Sequence, residues 1–272
     1  MYYTQCLLPI VLPILFWAAY HYYKDRHLPE PPGYLLLALL LGVGAFYVGL
    51  GMYTALGLFN VRFDAYLLAE SNLPGLFAYA MLVIGPVEEA AKLLPFVAVV
   101  LHFRAFDEPV DGIIYASFIG LGFGAVENFY ALRYLDGIEA WARGFVGPAL
   151  HIVFASIWGY AVGRAWLCRK PLLPVLLLSF GISAAIHGVY DFFVLGFAPM
   201  ALPLAAAVII AVWIWRLYRI RDLHALPPGP CRACACCESR EPPISNRWTD
   251  RCGSRERRPA RCARTTSCSA LA

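Results

Sequence analysis

Charged residues are scarce in this 272-residue chain, since only 15% are Asp, Glu, Lys or Arg while 60% are hydrophobic. A soluble domain is about a quarter charged and about half apolar. The formal net charge is only +4, and much of the basic excess follows the last apolar run, so no nucleic-acid partner is indicated. Seven of the nine cysteines follow Pro230, which excludes a disulfide framework in the apolar part. The composition favours a multi-span membrane protein.

Long apolar runs predict an all-α, polytopic membrane helix bundle of about seven transmembrane helices, because about 20 apolar residues cross a bilayer. Residues 1–227 form the predicted membrane domain, with a core at about 73–195. Residues 228–272 are rich in Arg, Pro, Cys and Ser without an apolar period, and they predict a disordered cytoplasmic tail. The predicted spans are residues 5–20, 34–59, 73–101, 111–133, 148–167, 172–195 and 200–218, with a mixed polar and apolar linker at 60–72.

The distribution of Lys and Arg predicts an N-terminus outside the cell membrane and a cytoplasmic C-terminus. In that orientation the inner segments hold nine basic residues near span ends and the outer segments hold three. The inner set is Lys24, Arg26, Arg104, Arg164, Arg169, Lys170, Arg216, Arg219 and Arg221, and the outer set is Arg62, Arg133 and Arg143.

Three charged residues, Glu88, Glu89 and Lys92, lie within five positions of the third predicted span. A charge in mid-membrane costs about 2.5–3.5 kcal/mol on insertion scales, so such groups need partners or a function. Lys92 shares a helix face with Glu88 at i+4 and can also meet Glu89 at i+3. One glutamate can therefore pair with Lys92 while the other points elsewhere.

Three further spans carry polar residues, all but one of them ionisable, at a similar depth: Glu127 and the neutral Asn128, then His151, then His187 and Asp191. At 1.5 Å per residue, Glu127 lies about 9 Å and His151 about 5 Å from the outer ends of their spans. His187 lies roughly 12 Å and Asp191 about 6 Å from the outer end. Glu88 lies near mid-membrane, roughly 20 Å from it. A single water-filled cavity would explain why four helices offer polar groups to one layer.

The residue types in that cavity suit hydrolysis. Two imidazoles and a carboxylate, from His151, His187 and Glu127, form a zinc ligand set of the catalytic kind with a position left for water. Asp191 is either another ligand or an acceptor that fixes a histidine tautomer. Glu88 would be the general base toward that water.

A metal-free reaction is the alternative from the same residues. Glu88 would then activate water directly, while His187 and Asn128 would hold the substrate carbonyl and its developing negative charge. The sequence leaves both versions open.

The ordered motifs resemble the PrsW family of intramembrane proteases, which is similar to the wider group of CAAX-prenyl proteases and bacteriocin-processing enzymes. The matching residues are Glu88-Glu89-x-x-Lys92, Phe123-x-x-x-Glu127-Asn128, His151 and His187-x-x-x-Asp191.

The resemblance implies an intramembrane protease whose substrate is a single-span membrane protein such as an anti-sigma factor, cut first on its extracytoplasmic side. It also implies that Glu88 activates water and that Glu89 pairs with Lys92. Glu127 stands where the prenyl-protease relatives carry His, and Asp191 where they carry Asn, so the use of zinc stays open.

Two other classes of function compete with a protease. Intramembrane Glu, His and Asp also build the proton relays of transporters, but such transporters predict inverted repeats, and the Glu-Glu-x-x-Lys segment has no counterpart in another half. A non-catalytic membrane scaffold would predict that Glu88→Ala leaves function intact. The sequence indicates no oligomeric state.

Overall fold

A computed structural model describes residues 2–24, 28–197 and 200–224 of the chain. All regular structure in these ranges is helical, which confirms the predicted all-α class. The predicted tail at 228–272 lies outside the described residues. The helices are α1 (Tyr2–Lys24), α2 (Pro32–Leu58), α3 (Ala65–Ser71), α4 (Leu73–Tyr79), α5 (Gly85–Ala98), α6 (Pro109–Ala131), α7 (Gly137–Leu167), α8 (Leu172–Phe197) and α9 (Leu202–His224), with a π-helical turn at Ala80–Ile84 and 3-10 turns at Val100–His102 and Leu132–Tyr134.

Five helices in the described ranges are long and apolar enough to cross a membrane, so the predicted number of seven is not confirmed. They are α2, α6 with its following 3-10 turn, α7, α8 and α9. The third predicted span consists of α4, the π-helical turn and α5, and it carries three charges within five residues. The first predicted span corresponds to α1.

One predicted span boundary is wrong. Helix α7 begins at Gly137, which is 11 residues before the predicted start at Pro148 (148 − 137 = 11). Glu139 and Arg143 lower the hydropathy of that first stretch, so the sequence pattern starts the span too late. His151 therefore lies about 21 Å along α7, at 1.5 Å per residue, instead of about 5 Å from its outer end. The predicted linker at 60–72 lies between α2 and α4 and contains the short helix α3, whose first N–H groups are capped by the Asp64 carboxylate.

Helices α6 and α7 form the centre of the bundle. In α6, 89% of the most apolar 18-residue window is buried, whereas the corresponding figure for α9 is 17%. Every residue of α6 from Pro109 to Gly124 is buried. The other long helices therefore surround α6 and α7 and present their outer faces to lipid.

The start of α6 is fixed by hydrogen bonds to acidic side chains. Glu108 and Asp111 form a reciprocal capping box, in which Asp111 Oδ2 accepts from the backbone N–H of Glu108 at 2.6 Å. One turn further on, the Tyr115 hydroxyl donates to Glu30 in the linker before α2. Burial raises the pKa of the Glu30 carboxyl above its ordinary value. These contacts anchor the helix that carries Glu127.

Close backbone contacts set the position of α2 against α6. A Cβ at Gly42 would lie 2.1 Å from the carbonyl oxygen of Ile119, and one at Gly122 would lie 2.0 Å from that of Leu39. Small residues at membrane helix interfaces allow this approach. The neighbouring Gly44 has nothing within 4 Å of the equivalent position.

We expect Gly42→Ala to destabilise the protein by about 1–3 kcal/mol, because the added methyl group must push α2 away from α6. Gly44→Ala is the matched control on the same helix, and it should be neutral or stabilising, since alanine favours a helix over glycine by about 1 kcal/mol. Thermal unfolding in detergent measures both. Equal melting temperatures for the two variants would show that α2 does not pack on α6 in this way.

Candidate active site

A π-helical turn and a glycine contact bring the first carboxylates to α8. The π-helical turn Ala80–Ile84 ends directly before Gly85, and such turns are frequent at functional sites. A Cβ at Gly85 would lie 2.2 Å from the carbonyl oxygen of Ala184, and one at Gly188 would lie 2.6 Å from that of Ala80. The backbones of α5 and α8 are thus in contact beside His187, and the carboxylates of Glu88 and Glu89 both lie near that histidine.

Glu89 is fully buried and has polar partners on both carboxylate oxygens. Its Oε1 accepts from Lys92 Nζ at 2.5 Å and from His187 Nδ1 at 2.8 Å. Its Oε2 accepts from Trp158 Nε1 at 2.8 Å, and the Ser183 hydroxyl lies 3.0 Å away. Because the carboxylate is surrounded by donors, Glu89 is a positioning residue. It fixes His187 in the tautomer that leaves Nε2 unprotonated.

Glu88, by contrast, has a buried oxygen without a hydrogen-bond partner among the described residues. This Oε2 lies 3.6 Å from His187 Nε2 and 4.0 Å from His151 Nδ1. Asp191 Oδ2 is also buried without such a partner, 3.5 Å from the same His187 Nε2. Buried polar atoms are normally paired with protein or water, so these two oxygens indicate a place for a water molecule or a cation.

His151 is oriented from α6. Its Nε2 makes a short contact with Glu127 Oε2, and its Nδ1 lies 3.2 Å from Lys92 Nζ. A Cβ at Gly124 would lie 2.8 Å from the imidazole Cδ2, so the ring rests directly on the backbone of α6. The Glu127 carboxylate accepts the Nε2 proton and thereby leaves Nδ1 with its lone pair, 4.0 Å from Glu88 Oε2 and closer to Lys92 Nζ.

Glu127 and Asn128 are held by the first half of α7. Arg143 Nη2 donates to Glu127 Oε1 at 2.6 Å, and Arg143 Nε donates to Asn128 Oδ1 at 3.2 Å. The Asn128 amide nitrogen donates to the carbonyl oxygens of Arg143 and Gly144. Both charged partners of Glu127, Arg143 and His151, therefore come from another helix, α7.

The structure brings the predicted residues together but arranges two of them differently. The sequence prediction placed Glu127 among the metal ligands and Asn128 at the substrate carbonyl. Instead, ligand atoms of Glu88, His151 and His187 lie within 4.8 Å of one another. Glu127 contacts the far side of His151, and the Asn128 amide is engaged with the backbone of α7.

The site has a buried floor and a partly exposed rim, which is the side accessible to a substrate. Its floor is almost inaccessible, with side-chain exposures of 0–1% for Glu89, Lys92, His151 and His187. Its rim is open, with exposures of 15% for Glu88, 19% for Asp191, 25% for Arg143 and 30% for Glu127. A substrate that approaches this side meets Glu88 before it meets the imidazoles.

Three supporting residues were not found from the sequence. Trp158 and Ser183 both contact Glu89, and their spacing gave a signal: Trp158 is seven residues after His151 and Ser183 is four residues before His187, each on the same helix face. Arg143 gave no such signal, because the sequence pattern placed it in an outer loop.

Lys92→Met should lower the free energy of unfolding by about 3–5 kcal/mol, because it leaves the buried Glu89 carboxylate without its cation. In Glu89→Gln/Lys92→Met the loss should be smaller than the sum of the two single losses, since the charges are removed together. Lys24→Met, at the end of α1, is the control and should change stability by less than about 1 kcal/mol. A Lys92→Met protein as stable as the Lys24→Met control would contradict the buried ion pair.

Comparison with known proteins gives consistent matches. A family model described as PrsW family intramembrane metalloprotease matches residues 30–217. A relative named Protease PrsW from Oceanobacillus iheyensis is 31% identical over 213 residues, which cover 78% of this chain and 92% of the relative. Relatives with the same name from Geobacillus kaustophilus and Bacillus subtilis are 33% and 30% identical, covering 68% and 67% of this chain and 77% and 79% of theirs. No solved structure matches the chain.

Proposed function

We propose that Glu88 activates the water molecule that hydrolyses the substrate, and we proceed from the premise that this chain belongs to the PrsW family of intramembrane metalloproteases. The family membership makes the chain an intramembrane protease and a multi-pass membrane protein. It thereby decides against the transporter and the scaffold.

The observation that carries the mechanism is a pair of oriented histidines. Glu89 occupies Nδ1 of His187 and Glu127 occupies Nε2 of His151. The remaining nitrogens, His187 Nε2 and His151 Nδ1, both face Glu88 Oε2, at 3.6 and 4.0 Å. Carboxylates on the far nitrogens of histidines fix tautomer and ring orientation in hydrolytic metal sites.

Glu88 would act as the general base and then as the general acid. Its carboxylate accepts a proton from a water molecule while the water oxygen forms a bond to the scissile carbonyl carbon. The same proton then passes to the leaving amide nitrogen as the carbon–nitrogen bond breaks. Oε2 has no hydrogen-bond partner among residues 2–24, 28–197 and 200–224, which supports this role because none of their donors has to be displaced before the proton is taken.

The donor set fits a zinc ion. Zinc binds histidine nitrogen and carboxylate oxygen at about 2.0–2.2 Å, so two ligands of one ion lie about 3.4 Å apart. The 3.5 Å between His187 Nε2 and the orphaned Asp191 Oδ2 agrees with that spacing. We assign His151 and His187 as ligands because their ligand atoms lie within 4.8 Å of each other and of a Glu88 oxygen, and Asp191 as the third ligand because of its distance to His187, with Glu88 beside the ion. Zinc would supply Lewis-acid polarisation of the scissile carbonyl and of water.

One observation favours the metal-free alternative. Lys92 Nζ lies 3.2 Å from His151 Nδ1, where it can donate to the lone pair that a metal would use. Its positive charge also opposes a second cation nearby. In this version His187 Nε2 and Glu88 alone would hold water.

The proposed orientation has the N-terminus outside and the C-terminus in the cytoplasm. Two arginines no longer belong in the count of basic residues near span ends. Arg216 is fully buried, and Arg143 lies within α7 with Glu127 as its partner. The inner set then falls from nine to eight and the outer set from three to two, so the bias strengthens (8:2 against 9:3). This orientation puts the open rim of the site toward the outer leaflet.

The proposed substrate is a single-span membrane protein, such as an anti-sigma factor, cut between the bilayer midplane and its outer end. The test is reconstitution of the purified protein in liposomes with such a substrate, followed by mass spectrometry of both products. We expect one principal cut in the outer half of the span, because Glu88 lies at about mid-membrane depth. A cut confined to the cytoplasmic half would contradict the proposed orientation.

A further inference from the structure

A cleft of about 370 Å³ opens between α7, α8 and α9, near the C-terminal end of α7 and apart from the active site. That volume lies within the range of ordinary ligand sites, about 300–1,000 Å³. Two arginines, Arg164 and Arg219, and two aromatic residues, Tyr160 and Trp215, line it. Apolar side chains of α8 form the rest of its wall.

The polar groups of the cleft are held by their neighbours. Arg164 Nη1 donates to the Tyr160 hydroxyl at 3.5 Å, and the Tyr160 ring packs edge-on against Trp215 with centroids 6.0 Å apart. Arg219 is 44% exposed and its Nη1 lies 3.9 Å from Asp222 Oδ2. An exposed pair at that distance contributes little, so Arg219 can exchange Asp222 for a better anion.

The apolar wall runs along one face of α8. Val175, Leu178 and Ile182 follow one another at spacings of three and four residues, and all three line the cleft. Leu178 is 68% and Ile182 is 45% exposed. The stripe covers about 10 Å of helix, at 1.5 Å per residue, which suits several methylene groups of a lipid chain.

We propose that this cleft binds one anionic phospholipid, with its phosphate between Arg164 and Arg219 and an acyl chain along Val175, Leu178 and Ile182. Guanidinium groups bind phosphate oxygens through paired charge-assisted hydrogen bonds. Basic pockets between transmembrane helices bind anionic head groups in this way. A zwitterionic lipid would bring an ammonium group to two arginines, and free phosphate would leave the apolar wall unused. The proposal does not depend on the proteolytic mechanism.

Native mass spectrometry of the delipidated full-length protein tests the proposal. Phosphatidylglycerol and phosphatidylcholine with the same acyl chains are titrated separately. We expect one phosphatidylglycerol to bind preferentially, and Arg164→Gln/Arg219→Gln to weaken its binding by roughly 30-fold, since each basic residue near an anionic head group contributes about fivefold. Arg62→Gln/Arg133→Gln, which removes the same number of charges elsewhere, is the control and should bind as the wild type does.

Three results would overturn the proposal. One is equal phosphatidylglycerol binding by the wild type and Arg164→Gln/Arg219→Gln, provided that both unfold at similar temperatures. Another is an equal loss in the control, which would indicate a general charge effect. The third is displacement of the lipid by millimolar inorganic phosphate, or equal binding of a dihexanoyl analogue, either of which would indicate a small-anion site that makes no use of α8.

Discussion

Replacement of Glu88 by glutamine is expected to lower kcat by about 10²–10⁴-fold, the usual contribution of a general acid–base residue. The amide keeps the size of the side chain but cannot accept the water proton. Because Glu88 Oε2 has no hydrogen-bond partner in the described part of the chain, the change removes no bond that holds the helices together. We therefore expect a nearly unchanged melting temperature and a similar KM for a single-span substrate.

The adjacent glutamate provides the sharpest comparison. Glu89→Gln should lower both stability and activity, because its carboxylate is fully buried and accepts from Lys92, His187 and Trp158. Glu139→Gln, at an exposed position of α7, controls for loss of one carboxylate and should leave both quantities unchanged. A Glu88→Gln enzyme that keeps more than a third of wild-type kcat would exclude Glu88 as the base.

The division of labour between Glu88 and Glu89 was partly predictable. Helical periodicity allows Lys92 to pair with either glutamate, and the resemblance to the family indicated Glu89. The structure confirms the Glu89–Lys92 pair at 2.5 Å. The sequence could not show the other donors around Glu89, because Trp158 and Ser183 come from α7 and α8 and meet it only after the helices pack.

A charge inside a helix explains the late start predicted for α7. A hydropathy pattern assigns Arg143 to a loop, since an unpaired charge is costly in lipid. Arg143 instead lies within α7 and donates to Glu127, and Arg216, which already lay inside its predicted span, likewise donates to Ser117 and Ser156. Those partners lie on other helices, so the composition of one segment cannot show that its charge is satisfied. The π-helical turn before Gly85 likewise has no local sequence signature.

The assignment of zinc ligands gives the second large expected effect. Chelation by 1,10-phenanthroline should lower activity at least about 100-fold, and added zinc should restore it, if the ion supplies Lewis-acid chemistry. His187→Ala and Asp191→Asn should lower zinc affinity by at least about 100-fold, because loss of a ligand exceeds the 10–100-fold effect of outer partners. Metal content of the purified proteins, measured by plasma mass spectrometry, checks this without reference to activity.

Two glutamate variants separate the base from the ligands. Glu127→Gln should retain zinc with an affinity lowered by about 10–100-fold, because Glu127 orients His151 from its far nitrogen. Glu88→Gln should retain zinc fully while it loses activity, because the base lies beside the ion without holding it. Loss of zinc from Glu88→Gln would instead make Glu88 a ligand together with His151 and His187, whose ligand atoms lie within 4.8 Å of one another. The metal-free reaction would be established if a zinc-free protein cleaves its substrate in the presence of chelator and Glu88→Gln abolishes that cleavage. In that reaction Lys92 Nζ would remain hydrogen-bonded to His151 Nδ1.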